Sequence, residues 1–436
     1  KLAGEVELHR PYVDRVVLRC PHCAGTARRV PYVIDAWFDS GSMHTAQWHY
    51  PFENQTEFRE SFPADFICEA MEQTRGWFYT LLATGTILHG QAPYRNCMAT
   101  GLGLDENGQK MSKSKGNTLD PWLYIDRYGA DCIRWYLYSS SAPWKSRRIV
   151  EAAVQEPLYR FLDTLRNTTD FFALYASIDG YDPALHEMDP RDLSVMDRWA
   201  RSRLQSTARA VAEALDAYDV VAATSALESY ADDLSNWYVR LSRRRFWKGG
   251  MGKDKVAAYD TLRGVLLAVA KLAAPFIPFM AESMYQELRG ASDPTSVHFC
   301  AYPQPDERER SETLESQMAL GRSIAALGHQ ARNLAQVKVR QPLARAVMER
   351  ADAVLADEGR SLIEQELNVK RLDVLSDASE FATLAAGPNF RTLGPRLGGA
   401  GQKVAAWIKE QPADALRERL AQGPVEVLVE GASVQV

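Results

Sequence analysis

The chain has 436 residues, too many for one ordinary core and enough for two to four domains. A content of 46% hydrophobic and 25% charged residues is that of a globular protein and excludes a disordered or fibrous chain. With 51 Lys and Arg against 56 Asp and Glu the net charge is −5, so a nucleic-acid partner would have to meet local basic patches.

In chain order, Leu8 to Val33 carries short β-like runs, Val16 to Leu18 and Val30 to Ile34, around a Cys20-Pro-His-Cys23 turn. From Ala36 to Ser141 the pattern is mixed α/β. Phe66 to Cys68 and Cys97 to Ala99 read as strands, and Thr74 to Leu88 reads as a helix with Trp77, Phe78, Leu81 and Leu82 on one side. A Gly- and Lys-rich loop follows, and Asp120-Pro121 is a good helix start. Val150 to Arg289 is almost purely helical. There Leu262, Val265, Leu266, Val269 and Leu272 mark one apolar face, stopped by Pro275. A loop over Asp293 to Pro305 leads to a helix from Glu312 to about Ala335. A smaller α/β unit is expected beyond it, with Val337 to Val339 extended, a helix near Ser361 to Leu367, and Val369 to Leu375 extended again. Thr261 to Met280, the most apolar stretch, is broken by Arg263, Lys271, Pro275 and Pro278, so no membrane span is expected. Six cysteines with only one close pair point to a reducing compartment. With no apolar signal core at the start, the expected location is the cytoplasm.

The strongest local signal is Lys110-Met111-Ser112-Lys113-Ser114, continued by Lys115-Gly116-Asn117. Three lysines and no acid lie between Gln109 and Asn117, and Gly103, Gly108 and Gly116 leave the loop room to move. A mobile segment that delivers ammonium groups is what a triphosphate gaining charge in a transfer reaction requires. A solvated basic loop would need no such pentapeptide.

Lys110 to Ser114 resembles the KMSKS signature of class I aminoacyl-tRNA synthetases. The resemblance implies a loop that closes on ATP and its Mg²⁺, with Lys113 nearest the phosphates. Asp35-Ala-Trp37-Phe38-Asp39-Ser40-Gly41 and Glu69-Ala-Met-Glu72-Gln73-Thr-Arg75-Gly76-Trp77-Phe78 are similar to two segments of isoleucyl-tRNA synthetases. Valyl and leucyl enzymes differ there, so isoleucine is favoured and valine is the nearest rival. Ala70 and Glu72 depart from the common Gly and Asp, and no contact is ascribed to Glu72. By resemblance Glu69 and Gln73 hold the isoleucyl-adenylate and Trp77 walls the aliphatic pocket. A carboxylate at the end of a parallel strand suits that crevice, and an apolar wall discriminates one methylene only weakly.

Between Arg240 and Lys255 seven Lys or Arg stand against one acid, Asp254, interleaved with aromatic residues. Guanidinium groups suit phosphates and aromatic faces suit splayed bases. Trp237, Arg240, Arg243, Arg244, Arg245, Trp247 and Lys248 are therefore the candidate RNA contacts, in a block that resembles an anticodon-binding helical bundle. The implied partners are tRNA(Ile) and isoleucine, with no DNA and no membrane, on a monomer. Cys20 and Cys23 form half of a zinc site, and a metal-free thiol turn is the equal alternative. Gly249 to Asp254 is no phosphate loop, since Asp254 stands where the Mg²⁺-binding hydroxyl would be.

The expected architecture is multidomain α/β plus α. Residues 1–35 would be the exit of an inserted domain, and 36–149 the second half of a Rossmann-type nucleotide-binding fold. Residues 150–310 would be the helical bundle, and 311–436 a helix with a small α/β domain. None of the eight His lies in a His-x-Gly-His motif, which such synthetases need. The chain therefore reads as the C-terminal portion of a longer isoleucine-activating enzyme, inactive alone because half of an ATP site forfeits most of the proximity gain. From another class, a stand-alone tRNA-binding module with a vestigial catalytic loop is the alternative.

Overall fold

The computed structural model describes residues 7, 9–32, 35–349, 357–375, 385–429 and 432–435. They form two compact units. One runs to Asp192 and resumes over Leu204–Glu307, and the other comprises Leu193–Arg203 and the residues from Arg308 on.

The first unit opens with an antiparallel hairpin, β1 (Val17–Arg19) and β2 (Thr26–Arg28), closed by the Cys20 N–H donating to the Gly25 carbonyl at 2.8 Å. Val30 to Tyr32 form no strand, and Val33 and Ile34 lie outside the described residues. Helix α1 (Ala36–Gly41) starts where the Asp35 carboxylate accepts from the Trp37 N–H at 2.9 Å, as Asp does at an N-cap. After α2 (Met43–Ala46) and α3 (Gln55–Ser61) comes a βαβ unit: β3 (Ala64–Ala70), α4 (Trp77–His89) and β4 (Tyr94–Thr100). The two strands are parallel, registered from Ala64↔Tyr94 to Ala70↔Thr100. Helices α1 and α4 approach so closely at Gly41 that a Cβ there would stand 2.8 Å from the Thr80 Cβ, and the Thr84 hydroxyl donates to the Gly41 carbonyl. The helix expected from Thr74 begins at Trp77, because Met71–Arg75 form a 3₁₀ turn first.

A short parallel pair, β5 (Gly103–Leu104) and β6 (Arg147–Arg148), brackets the Lys-rich loop, α5 (Pro121–Tyr128) and α6 (Ala130–Ser139). Asp120 caps α5, accepting from the Trp122 N–H at 3.0 Å, with Pro121 in the first turn. The bundle follows: α7 (Glu151–Pro157), α8 (Asp163–Asp179), the later turns of α9 (Val195–Asp216), α10 (Val220–Asp233), α11 (Arg240–Trp247), α12 (Lys253–Ala273) and α13 (Pro278–Leu288). Its centre is α12, whose Tyr259, Leu262, Val265, Leu266, Val269 and Leu272 are buried. Helix α6 ties the α/β part to this bundle. The Arg134 guanidinium donates to the carbonyls of Pro275 (2.8 Å) and Phe276 (3.0 Å), and Asp131 Oδ2 accepts from the Met280 N–H at 2.7 Å. Trp135 stacks on Phe161 at 3.8 Å.

In the second unit α14 (Glu312–Leu334), capped by Ser311, packs with α15 (Asp357–Leu367) against a parallel pair, β7 (Ala346–Glu349) and β8 (Leu372–Leu375). Ile324, Ile363, Leu367 and Leu372 make this core. Val337 to Val339, expected to be extended, form no strand; Val337 and Lys338 lie in no regular element and Val339 enters a turn. Buried Arg332 gathers the carbonyls of Lys338, Gln341, Leu367 and Asn368, which bends the chain around its guanidinium. Three further helices, α16 (Phe390–Leu397), α17 (Gly401–Glu410) and α18 (Ala413–Ala421), and the hairpin β9 (Glu426–Val429) and β10 (Ala432–Gln435) surround Leu393, Val404, Ile408 and Leu416. No helix among the described residues is long and apolar enough to cross a membrane.

Candidate nucleotide and RNA site

The Lys-rich loop leaves the C-terminal end of β4 through Gly101, whose N–H donates to the Pro143 carbonyl at 2.8 Å. A Cβ at Gly101 would stand 2.3 Å from the Lys145 backbone carbon, so only glycine fits the crossing. Beyond β5 the chain reverses over Asp105–Gln109 and bridges back, Leu104 against Lys110. One carboxylate organises the reversal. Asp105 accepts from the N–H groups of Asn107 (3.0 Å) and Gln109 (2.7 Å) and from Asn117 Nδ2 (2.8 Å). Asn117 in turn accepts from the Ser112 N–H at 2.9 Å and donates to the Lys110 carbonyl at 3.3 Å, closing the base of the loop. The amide of Asn117, then the N–H of Gln109, hold the Asp105 carboxyl below its ordinary range, with the Lys115 charge contributing.

Within the loop, Met111 and Ser112 are half-buried, and the Ser112 and Ser114 hydroxyls are 3.1 Å apart. Lys110 and Lys115 are exposed, and neither forms an ion pair among the described residues. Lys113 lies in the 3₁₀ turn Lys113–Lys115, and its side chain is outside the described set. The arrangement presents ammonium groups on a short pinned arm beside the ends of two parallel strands, where doubly wound sheets bind nucleotides. Asp105 and Asn117 went unassigned in the sequence, although Asn117 directly continues the motif.

Glu69 is exposed near the C-terminal end of β3, opposite Ala99. Gln73 spends its side-chain carbonyl on the Trp77 N–H at 2.8 Å, starting α4, and its amide nitrogen donates no hydrogen bond among the described residues. Trp77 is half-buried and donates from its indole to the Ser40 carbonyl at 3.1 Å. The segments around Trp37 and Trp77, far apart in sequence, thus meet on one surface. Beneath it lies a pair that sequence reading missed. Buried His44 bonds Thr84 (3.1 Å) and Thr45 (2.7 Å), and burial followed by the His89 charge lowers its pKa.

On α11 and its two ends the candidate RNA contacts separate by exposure. Arg240, Arg243, Arg244, Trp247 and Lys248 are exposed, Trp247 by 57%, and its indole donates to the Tyr175 hydroxyl at 2.9 Å. Arg245 is half-buried and ion-paired with Asp254 at 2.8 Å. Trp237 is only 5% exposed, inside the bundle, so its ring packs the core and has no face open to a base. Lys255, buried, joins the Asp179 carboxylate at 2.5 Å and the Lys248 carbonyl at 2.7 Å, which fixes the end of the basic segment.

Cys20 is half-buried and Cys23 exposed. The N–H groups of His22 and Cys23, followed by the Cys23 thiol, lower the Cys20 pKa. Among the described residues no three His, Cys, Asp or Glu side chains assemble a metal site. The turn supplies two of the four ligands that structural zinc takes, so these residues alone do not fit the ion.

Residues 5–148 match the family of class I tRNA synthetases (I, L, M and V), and residues 197–348 match the anticodon-binding domain of tRNA ligases. The chain is 43% identical to isoleucine–tRNA ligase 2 of Bacillus cereus, over 99% of its own length and 42% of that protein. It is 44% identical to an isoleucine–tRNA ligase of Bacillus thuringiensis over 93% of the chain and 39% of the relative. For that of Clostridium acetobutylicum the figures are 43%, 99% and 42%. The chain thus spans about two fifths of the length of the curated relatives it matches. Among solved structures it is similar to Agrobacterium radiobacter LeuRS in a ternary complex with tRNA and LeuAMS, at a TM-score of 0.52 and 22% identity, covering 68% of this chain and 36% of that one. Mycobacterium tuberculosis methionyl-tRNA synthetase with methionyl-adenylate gives 0.51 and 19%, covering 64% and 58%. At these identities the likeness is one of fold.

Proposed function

We propose, for a chain that belongs to the class I tRNA synthetases, that it supplies the ATP loop, adenylate wall and anticodon-binding bundle of an isoleucine–tRNA ligase. The reaction joins isoleucine to ATP as isoleucyl-adenylate with release of pyrophosphate, then passes the acyl group to the terminal ribose of tRNA(Ile). Lys110, Lys113 and Lys115 meet the phosphate oxygens, where charge grows in the transition state, and Mg²⁺ arrives with ATP as its counter-ion. Glu69 and the free amide of Gln73 hold the adenylate, and Trp77 walls the side chain. Arg240, Arg243, Arg244, Trp247 and Lys248 meet RNA, Arg245 positions their helix through Asp254, and Trp237 packs beneath them. The observation that carries the reading is the loop itself, pinned by Asp105 and Asn117 with Lys110 and Lys115 turned to solvent.

The test pairs two measurements on this chain. In gel-shift titrations tRNA(Ile) is expected to bind, and amino-acid-dependent ATP–pyrophosphate exchange is expected to be silent, since no His-x-Gly-His lies in these 436 residues. Exchange with valine but not isoleucine would assign the rival amino acid. Absence of any tRNA binding would overturn the reading.

A further inference from the structure

Helices α5, α6, α8 and α13 surround an open cavity of about 500 Å³ in the first unit, a size that suits a small organic molecule. Much of its lining is apolar. Leu162 and Met284 are buried, and Ile125, Leu158 and Met280 are half-buried beside them. Asp170 on α8 and Glu287 on α13 also line it, both exposed, and neither forms a hydrogen bond or ion pair among the described residues. Burial, followed by the Asp170 charge, raises the Glu287 pKa, so the two carboxylates feel each other across the packed helices. Like charges so placed oppose each other unless a cation lies between them. Arg166, one turn before Asp170, is exposed and pairs with neither. A third carboxylate is hidden in the same lining. Asp131 is 8% exposed, and its Oδ2 accepts from the Met280 N–H at 2.7 Å, whereas its buried Oδ1 forms no hydrogen bond. A buried acceptor without a donor is rare and unfavourable, and a donor carried by a ligand would satisfy it. Among the described residues no three such side chains come close enough to share a metal ion, so the cation that suits this lining is one carried on a carbon body.

We propose that this cavity binds a small organic amine in its ammonium form, the apolar body against Leu162 and Met284 and the charged end among the carboxylates of Asp170, Glu287 and Asp131. The site is distinct from the Lys-rich loop and from the basic face of α11, and it stands whether or not the chain serves a synthetase. Hexylamine is the probe, with hexan-1-ol as its neutral counterpart. Binding to the full chain is read from the methyl signals of labelled methionine, those of Met280 and Met284 being assigned through Met280→Leu and Met284→Leu. Hexylamine is expected to move both signals to saturation, and hexan-1-ol to bind about tenfold more weakly. Asp170→Asn with Glu287→Gln changes only exposed groups, so the fold should stay intact, and hexylamine should bind this variant about tenfold more weakly than the wild type. Glu57→Gln with Glu60→Gln removes the same charge elsewhere on the surface and should bind as the wild type does. Arg166→Gln, which removes the one cation of the lining, should bind at least as tightly. Equal binding of the alcohol, full affinity in the Asp170 and Glu287 variant, weaker binding in Arg166→Gln, or no movement of the two methionine signals would each overturn the proposal.

Discussion

Trp237 and Trp247 sit ten residues apart in one basic and aromatic segment, and the structure gives them opposite environments. Trp237, 5% exposed, packs in the core of the bundle. A buried aromatic ring removes about 150–250 Å² from water. At about 25 cal/mol per Å² that is about 4–6 kcal/mol as an upper estimate, and truncation of such residues costs about 3–5 kcal/mol. Trp237→Ala should therefore lower the unfolding free energy by about 3–5 kcal/mol in urea titrations. Trp237→Phe, which keeps a ring, should bind tRNA as the wild type does. Trp247 is 57% exposed, so Trp247→Ala should change stability by less than about 1 kcal/mol. It should cost about 1–3 kcal/mol of RNA affinity if a base stacks on the indole, or roughly 5- to 150-fold. The refuting result is the reverse pattern: a Trp237→Phe chain of native stability with weakened RNA binding, beside a Trp247→Ala chain with full affinity.

Three other outcomes follow from particular contacts. Asn117→Ala removes the groups that close the base of the Lys-rich loop, so trypsin should cut at Lys110 and Lys115 several-fold faster at an unchanged global midpoint. Asn117→Asp, which sets a carboxylate against Asp105, should be cut faster still. Gly101→Ala should lower stability by at least about 1–3 kcal/mol in urea titrations, because the added methyl meets the backbone of Lys145 rather than a side chain able to move. The pKa of His44 is lowered by folding, so its contribution to stability is complete above about pH 6.5 and is lost as pH falls from there towards the lower folded value. Urea midpoints between pH 7.5 and 5.5 should fall, and His44→Gln should flatten that slope.

How much of this was legible in the sequence depended on the range of the interaction. The pentapeptide Lys110 to Ser114, the cap at Asp120-Pro121, the strands at Phe66 and Cys97 and the apolar face of α12 are local patterns, and they stand where the sequence put them. The pin that holds the loop is not local. Asp105 and Asn117 are twelve residues apart and meet only after the chain reverses between Leu104 and Lys110. Val337 to Val339 failed as a strand because Arg332, a residue that alternation ignores, competes for the carbonyls of that turn.

Composition groups Trp237 with the RNA contacts, and the structure buries it. Composition placed it among bases and aromatics, but a helix sorts residues by angle, not by neighbourhood. Tyr238, Ser242 and Phe246 recur every four residues and are all buried, which sets the inward stripe of α11 and of the π turn Leu234–Val239 before it. Trp237 lies about 100° before Tyr238 on a regular helix, off that stripe, and is buried with Leu234, Tyr238 and Val239 in the π turn, whereas Arg240, Arg243, Arg244 and Trp247 are exposed. Periodicity sets the inward stripe of α11, and the π turn before it, which no regular period describes, buries Trp237. The same sorting explains why a chain of net charge −5 can present a basic face: its acids lie on other surfaces, and on this helix the only outward charges are positive.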